Sequence, residues 1–308
     1  MYFNHLMKQG PVVGGMLRLV RAGKGAALPE LPGPEFTETV PPRSAAMVRD
    51  YVRFVGGDPK AYRGHLPPHL FAQWGFPLYA RALEGLPYDL KKVVNAGFRY
   101  QVNAPLPADE PLQLSSRLTS VDDDGRRALL ELTLTTGTAS APDALVSTLV
   151  VFVPSGKNGK KSKTGKKGPS KPKPVVPQGA REIGGREVGR WSGLVFAQLT
   201  GDVNPLHWLP PYAKLSGFKG VILHGFCTAA IAAECLNSGL FAGDVSRITG
   251  FEARFTRPLL LPRRVRVFVD DGDSGSAEPG ADPSARGVYV GENPGGPAYL
   301  TGAFTHVR

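Results

Sequence analysis

Residues 201–207 read Gly201-Asp202-Val203-Asn204-Pro205-Leu206-His207, and the chain runs on through Gly217-Phe218 to Ile222-Leu223-His224-Gly225. The first segment places a carboxylate, an amide and an imidazole close together. On a regular helix Asp202 and His207 would lie about 140° apart around the axis and would not face one another. Pro205, Pro210 and Pro211 argue against a continuous helix, because proline lacks the N–H and clashes with the preceding turn. The stretch is therefore expected to be bent, turning Asp202, Asn204 and His207 toward one point. An imidazole and a carboxylate brought together there can move protons near neutral pH, while an amide orients a water.

The second segment leads into Phe226-Cys227-Thr228-Ala229-Ala230-Ile231-Ala232-Ala233-Glu234-Cys235-Leu236-Asn237, followed by Ser238 and Gly239. This run is apolar almost all round and free of proline and glycine, so a buried helix ending at the glycine is expected. Gly225 then falls in its first turn, where the N–H has no intrahelical partner and the helix dipole favours negative charge. Such a donor suits a thioester carbonyl that gains charge in a transition state. The missing side chain would let that carbonyl approach closely.

The run Phe196 to His207, with Ala213, Gly217-Phe218 and Ile222-Leu223-His224-Gly225, resembles the hydratase 2 motif of MaoC-like dehydratases, a family that includes the R-specific enoyl-CoA hydratases. The resemblance implies an α+β hot-dog fold, here doubled: two curled antiparallel sheets, each wrapped around a central helix. It implies that Asp202 and His207 are the acid-base pair, Asn204 positions water and the Gly225 N–H is the oxyanion donor. Gly201, Pro205, Phe218, Ile222 and His224 are then expected to line the substrate. It further implies a reversible hydration of trans-2-enoyl thioesters to (R)-3-hydroxyacyl thioesters, with neither a metal nor a redox cofactor. Coenzyme A or carrier-protein pantetheine would arrive as part of the substrate. Two positions depart from the family pattern. Trp208-Leu209-Pro210 follows the histidine where an aspartate before the proline is common, and Thr228 is the nearest hydroxyl where many members carry a serine.

At 308 residues with 42% hydrophobic content the chain has material for two cores. Its formal charge of +11 suggests a nucleic-acid partner until it is located. Eight lysines and no acid lie between Gly156 and Pro174; the rest of the chain carries only +3. That tract has no apolar anchor and no aromatic for base stacking, so it is expected to be a solvated, self-repelling linker rather than a specific nucleic-acid site. The expected division is an N-terminal extension over 1–35, a degenerate hot-dog domain over 36–155, the linker over 156–174 and the catalytic domain over 175–308.

An internal duplication supports this division. Strands are expected at Val93 to Val102, Pro111 to Val121, Arg127 to Thr136 and Ala144 to Val153 in the first half. In the second they fall at Arg247 to Pro258, Arg263 to Asp270, Gly287 to Glu292 and Tyr299 to Val307. A helix-like segment, His69 to Leu86, precedes the first set. Gly57-Asp58-Pro59 reads as a relic of Gly201-Asp202, with no Asn-Pro-x-His after it. His65 and His69 have the spacing of metal ligands, but no third ligand accompanies them, so loop and helix-start roles are the better reading. Two halves in one chain mimic a dimer, so a monomer or a homodimer is expected, with an acyl carrier protein as a possible further partner.

Cys227 and Cys235 read as small core residues rather than a disulfide. His224 is expected to satisfy a backbone carbonyl. The apolar stretch Pro11 to Val20 is interrupted by glycines and Arg18 and is too short for a membrane span. It suits a weak membrane-surface or transit element, with a cytoplasmic location as the default. Two other classes compete with the hydratase reading: a hot-dog thioesterase, and a non-catalytic acyl-binding subunit docked by its lysines. The tandem of Asn-Pro-Leu-His with His-Gly argues against the first, and the intact Asp202, Asn204 and His207 argue against the second.

Overall fold

The computed structural model describes residues 2–25, 27–154, 173–270 and 285–307. The lysine tract lies almost wholly outside the described residues, as does the linker conformation expected for it. The described elements are, in chain order, α1 (Phe3–Leu6), α2 (Gly10–Arg21), β1 (Phe36–Val40), α3 (Ala45–Val55), α4 (Phe71–Leu83), β2 (Val94–Val102), β3 (Leu112–Asp123), β4 (Arg127–Gly137) and β5 (Leu145–Pro154). There follow β6 (Arg181–Val188), α5 (Ser192–Thr200), α6 (Pro210–Leu215), α7 (Gly225–Leu240), β7 (Ile248–Phe255), β8 (Arg263–Asp270), β9 (Arg286–Gly291) and β10 (Ala298–His306).

The strands form one antiparallel sheet in the order β1-β3-β4-β5-β2-β7-β10-β9-β8-β6. Each half contributes five strands whose order, read outward from the centre, is the same. The halves join where β2 pairs with β7, Phe98 opposite Ala253 and Tyr100 opposite Phe251. The aromatic rings at this seam stack, with Tyr100 and Phe251 centroids 5.7 Å apart. Alternation decides which face is inside: Leu130, Leu132 and Leu134 of β4 are fully buried while their neighbours are partly exposed. The sheet takes α4 against it in one half and α7 in the other.

The duplication extends to loop geometry. Leu66 N–H donates to the Leu106 carbonyl at 2.8 Å, and Leu223 N–H donates to the Leu259 carbonyl at 2.8 Å. Isolated bridges pair His65 with Pro107 and Ile222 with Leu260. Two residues beyond each leucine the central helical segment begins, at Pro68 in one half and at Gly225 in the other. Proline has no N–H, so the first half has lost the backbone donor that the second retains.

Two expectations need correction. α7 does not stop at Gly239 but runs to Leu240. That glycine serves packing, since a Cβ there would lie 2.4 Å from the Ile183 carbonyl of β6. The N-terminal stretch is not broken by its glycines: Pro11 sits in the first turn of α2, where its missing N–H costs nothing. α2 packs against α4 and buries Val12, Gly15 and Leu19. No helix among the described residues is long and apolar enough to cross a membrane.

Candidate active site

α5 delivers the first group. It ends in Gly201, whose φ of +82° is the left-handed conformation that glycine adopts without strain. The chain turns there and presents Asp202 at the helix end. Beyond it the Asn204 side-chain oxygen accepts the Leu206 N–H at 3.1 Å and caps a short 3₁₀ turn, Pro205–His207. The expected bend is therefore built by a glycine, an asparagine cap and a proline at the first position of the turn. Trp208 pins it from outside, its indole N–H donating to the Val203 carbonyl at 3.1 Å.

His207 Nδ1 lies 2.9 Å from the Ile222 carbonyl oxygen. A carbonyl only accepts, so the neutral ring carries its proton on Nδ1 and leaves Nε2 as the basic atom. His224 Nε2 donates to the Asp202 carbonyl at 3.1 Å and lies 3.8 Å from the Asp202 carboxylate. The His207 and His224 rings stack with centroids 3.6 Å apart, and Phe196 covers the other side of His224 at 4.8 Å. His224 thus backs the site, as the sequence reading expects of a histidine bound to a carbonyl. Its Nδ1 is buried without a partner.

Asp202, His207 and His224 each offer an atom within 4.8 Å of the other two. Such a cluster can suggest a metal, but His207 Nδ1 and His224 Nε2 both hold protons on carbonyl oxygens. Of the remaining lone pairs the one on His224 Nδ1 is buried, which leaves the Asp202 carboxylate and His207 Nε2, fewer than the three protein ligands of a catalytic zinc. The arrangement suits proton transfer instead. The protein packed around Asp202 raises its pKa, opposed by the His207 charge and by the Asn204 N–H. Burial lowers His207, opposed by Asp202 and by the Ile222 carbonyl. Burial and then the neighbouring His207 hold His224 well below the usual imidazole range, so it stays neutral. Asp202 and His207 are drawn toward one another's titration range, which is where acid-base partners work.

Gly225 is the first residue of α7, immediately after His224, so its N–H has no partner within the helix. A Cβ on Gly225 would lie 2.6 Å from the Phe255 ring. The glycine is therefore required by the β7 aromatic as well as by any approaching carbonyl. Ile222 supplies its carbonyl to His207, and Pro205 starts the 3₁₀ turn. Phe218 closes α6, its N–H on the Ala213 carbonyl at 3.0 Å. Thr228 donates its hydroxyl to the His224 carbonyl at 3.2 Å. In the first half Asp58 caps its own turn, accepting the Lys60 N–H at 3.0 Å.

Two groups of residues near the site escape the sequence reading. A buried network joins the halves behind it: Tyr62 donates to Glu234 at 2.7 Å, His69 Nε2 pairs with Glu234 at 3.1 Å, and His69 Nδ1 meets the Tyr51 hydroxyl at 3.0 Å. Glu234 is the lone acid on an otherwise apolar helix, a signal that it requires a buried partner. The second group belongs to α2. A narrow cleft beside Asp202 is walled by Phe196, Thr200 and Phe226 from one half and by Tyr51, His69 and Phe76 from the other, with Val12 contributed by α2.

The MaoC-like domain profile matches residues 186–278. The chain is 30% identical over 174 residues to the enoyl-CoA hydratase ChsH3 of Mycobacterium tuberculosis, covering 56% of this chain and 58% of that protein. It is 31% identical over 183 residues to the 3-hydroxyacyl-thioester dehydratase Y of the same organism, covering 58% and 61%. The chain thus spans about three-fifths of the length of these relatives. A solved Mycobacterium tuberculosis protein with a double hot-dog fold superposes with a TM-score of 0.56 at 15% identity, covering 94% of this chain and 97% of that one. The motif, the duplicated sheet and these matches converge on one assignment: the chain carries a MaoC-like domain on a double hot-dog fold.

Proposed function

We propose that the protein hydrates trans-2-enoyl thioesters reversibly to (R)-3-hydroxyacyl thioesters. The observation that carries this reading is the pairing of the Asp202 carboxylate with a His207 whose free atom is fixed as Nε2, beside the Gly225 N–H at the start of α7. In the hydration direction the thioester carbonyl rests on the Gly225 N–H, at the positive end of α7. The amide nitrogen of Asn204 remains free after its oxygen has capped the turn, and it holds the water. The Asp202/His207 pair takes a proton from that water as its oxygen attacks the β-carbon. Negative charge moves through the α-carbon to the carbonyl oxygen, and the pair returns a proton to the α-carbon. The two groups titrate together, so the proton belongs to the pair rather than to one residue.

This chemistry calls on no resident metal or redox group, and coenzyme A or pantetheine arrives with the substrate. The relatives named as an enoyl-CoA hydratase and a 3-hydroxyacyl-thioester dehydratase perform the two directions of one reaction, which supports the reading. An acyl carrier protein as donor, and a single chain as the working unit, are part of the proposal. So is the role of the first half, whose Pro68 replaces the donor glycine: it walls the acyl group rather than turning it over.

The test is incubation with crotonyl-CoA and longer trans-2-enoyl-CoAs, following loss of the conjugated-thioester absorbance and resolving the product epimer. Formation of the R epimer is expected. Release of free thiol in its place would indicate a thioesterase, and binding without turnover a non-catalytic subunit.

A further inference from the structure

We propose that Val12, on the N-terminal helix α2, sets the length of acyl chain accepted beside Asp202 and holds the site to short enoyl groups. The inference rests on the enoyl-hydration reading and extends it to a substrate range. The cleft that Val12 helps to wall has a volume of about 30 Å³. An apolar cavity that admits benzene measures about 150 Å³. There is room beyond the reacting carbons for little more than a terminal methyl.

The wall is fixed rather than hinged. Gln9, one turn before Val12, is buried; its amide N–H₂ donates to the Leu199 carbonyl at 3.0 Å and its oxygen accepts from Gln73 at 2.7 Å. The Tyr2 N–H donates to the Gln198 side chain at 2.9 Å. A Cβ on Gly201 would lie 2.8 Å from Val12 Cβ and 2.9 Å from Gln9 Cβ, so α2 is seated directly on the residue before Asp202. Swinging α2 aside would strand buried amides, a cost that a transient opening must meet each time. Val12 itself is 4% exposed and β-branched, with one strongly preferred rotamer in a helix, so it does not turn out of the way. Neither Gln9 nor Val12 belongs to the motif that identifies the catalytic half.

The experiment compares kcat/KM for crotonyl-CoA and trans-2-hexenoyl-CoA in the full chain and in two variants. Each newly accommodated methylene is worth about a fourfold gain, the equivalent of ~0.8 kcal/mol. Val12→Ala is expected to raise the hexenoyl-to-crotonyl ratio by about tenfold. Val12→Ile is expected to lower that ratio at least about fourfold, and it guards against a loosened helix in the smaller variant. Leu17→Ala, on the exposed side of the same helix, is expected to leave the ratio unchanged. A wild-type protein that hydrates hexenoyl or longer chains as well as crotonyl, or a ratio unmoved in both Val12 variants, would overturn the inference while leaving the hydration reading intact. A wild-type protein inert toward every enoyl thioester would defeat the hydration reading, and this one with it.

Discussion

His207 and His224 stack face to face with their ring centroids 3.6 Å apart, and each spends one N–H on a backbone carbonyl of the other's segment: His207 on Ile222, His224 on Asp202. Two loops distant in sequence are thereby tied reciprocally, and the tie places the carboxylate and the free imidazole nitrogen side by side. His224 is in this account a positioning residue. His224→Ala is expected to destabilise the fold by about 3–5 kcal/mol, the scale for truncating a fully buried ring, and to lower kcat. His224→Phe keeps the stack but loses the donor to the Asp202 carbonyl. It is expected to recover most of the stability, read by urea unfolding, and little of the kcat.

The same stack predicts a pH dependence. His224 is buried and neutral, with a folded-state pKa well below its unfolded value. Its contribution to stability is fully present above the unfolded pKa of about 6.5 and is lost as pH falls below it, because the unfolded chain then binds the extra proton. Unfolding free energy in wild type is expected to drop between about pH 7 and 5 more steeply than in His224→Phe. Parallel curves for the two proteins would show that His224 is not the responsible group.

Behind the site the His69–Glu234 pair spans the two halves, with side chains 2% and 3% exposed. Removing one partner leaves the other buried polar group without its hydrogen bond, typically a loss of about 1–3 kcal/mol. His69→Ala is expected to fall in that range. Glu234→Gln, which keeps an acceptor for Tyr62 and carries no charge, is expected to cost clearly less. Chemical denaturation of both variants tests the order.

Gly201 serves two constraints at once. Its φ is positive, and α2 leaves no space for a Cβ. Gly201→Ala is expected to destabilise the fold by at least about 1 kcal/mol from backbone strain alone and to displace Asp202, so that turnover falls further than stability does. The comparison is kcat against melting temperature for Gly201→Ala and for Gly217→Ala. Gly217 also has positive φ, but a Cβ there meets open space.

Much of the fold is legible in the sequence because alternation survives in the strands: Leu130, Leu132 and Leu134, or Val265, Val267 and Val269, are inside as their spacing requires. β6 is not legible, since Gly184 and Gly185 interrupt any strand pattern in it. In the structure they are thin places in a strand, where a Cβ on Gly185 would lie 2.4 Å from the Val265 carbonyl. β1 is only five residues long and has no buried residue, too little to announce itself. The convergence of Asp202 and His207 is legible because prolines and glycine forbid the helix that would separate them. The contributions of Gln9, Val12, Tyr62 and His69 are not, because they come from segments far away in the chain and depend on how the halves pack.

The most direct test of the acid-base pair is the turnover of trans-2-enoyl-CoA by Asp202→Asn and His207→Ala, each checked for native folding by circular dichroism. Asp202→Asn preserves the shape and the hydrogen bond accepted from the Asn204 N–H, but cannot exchange a proton. Each variant is expected to lose at least about 10²-fold in kcat, the scale of a general acid-base group, with little change in substrate binding. A folded variant of either kind that retains more than a tenth of wild-type kcat would contradict the account.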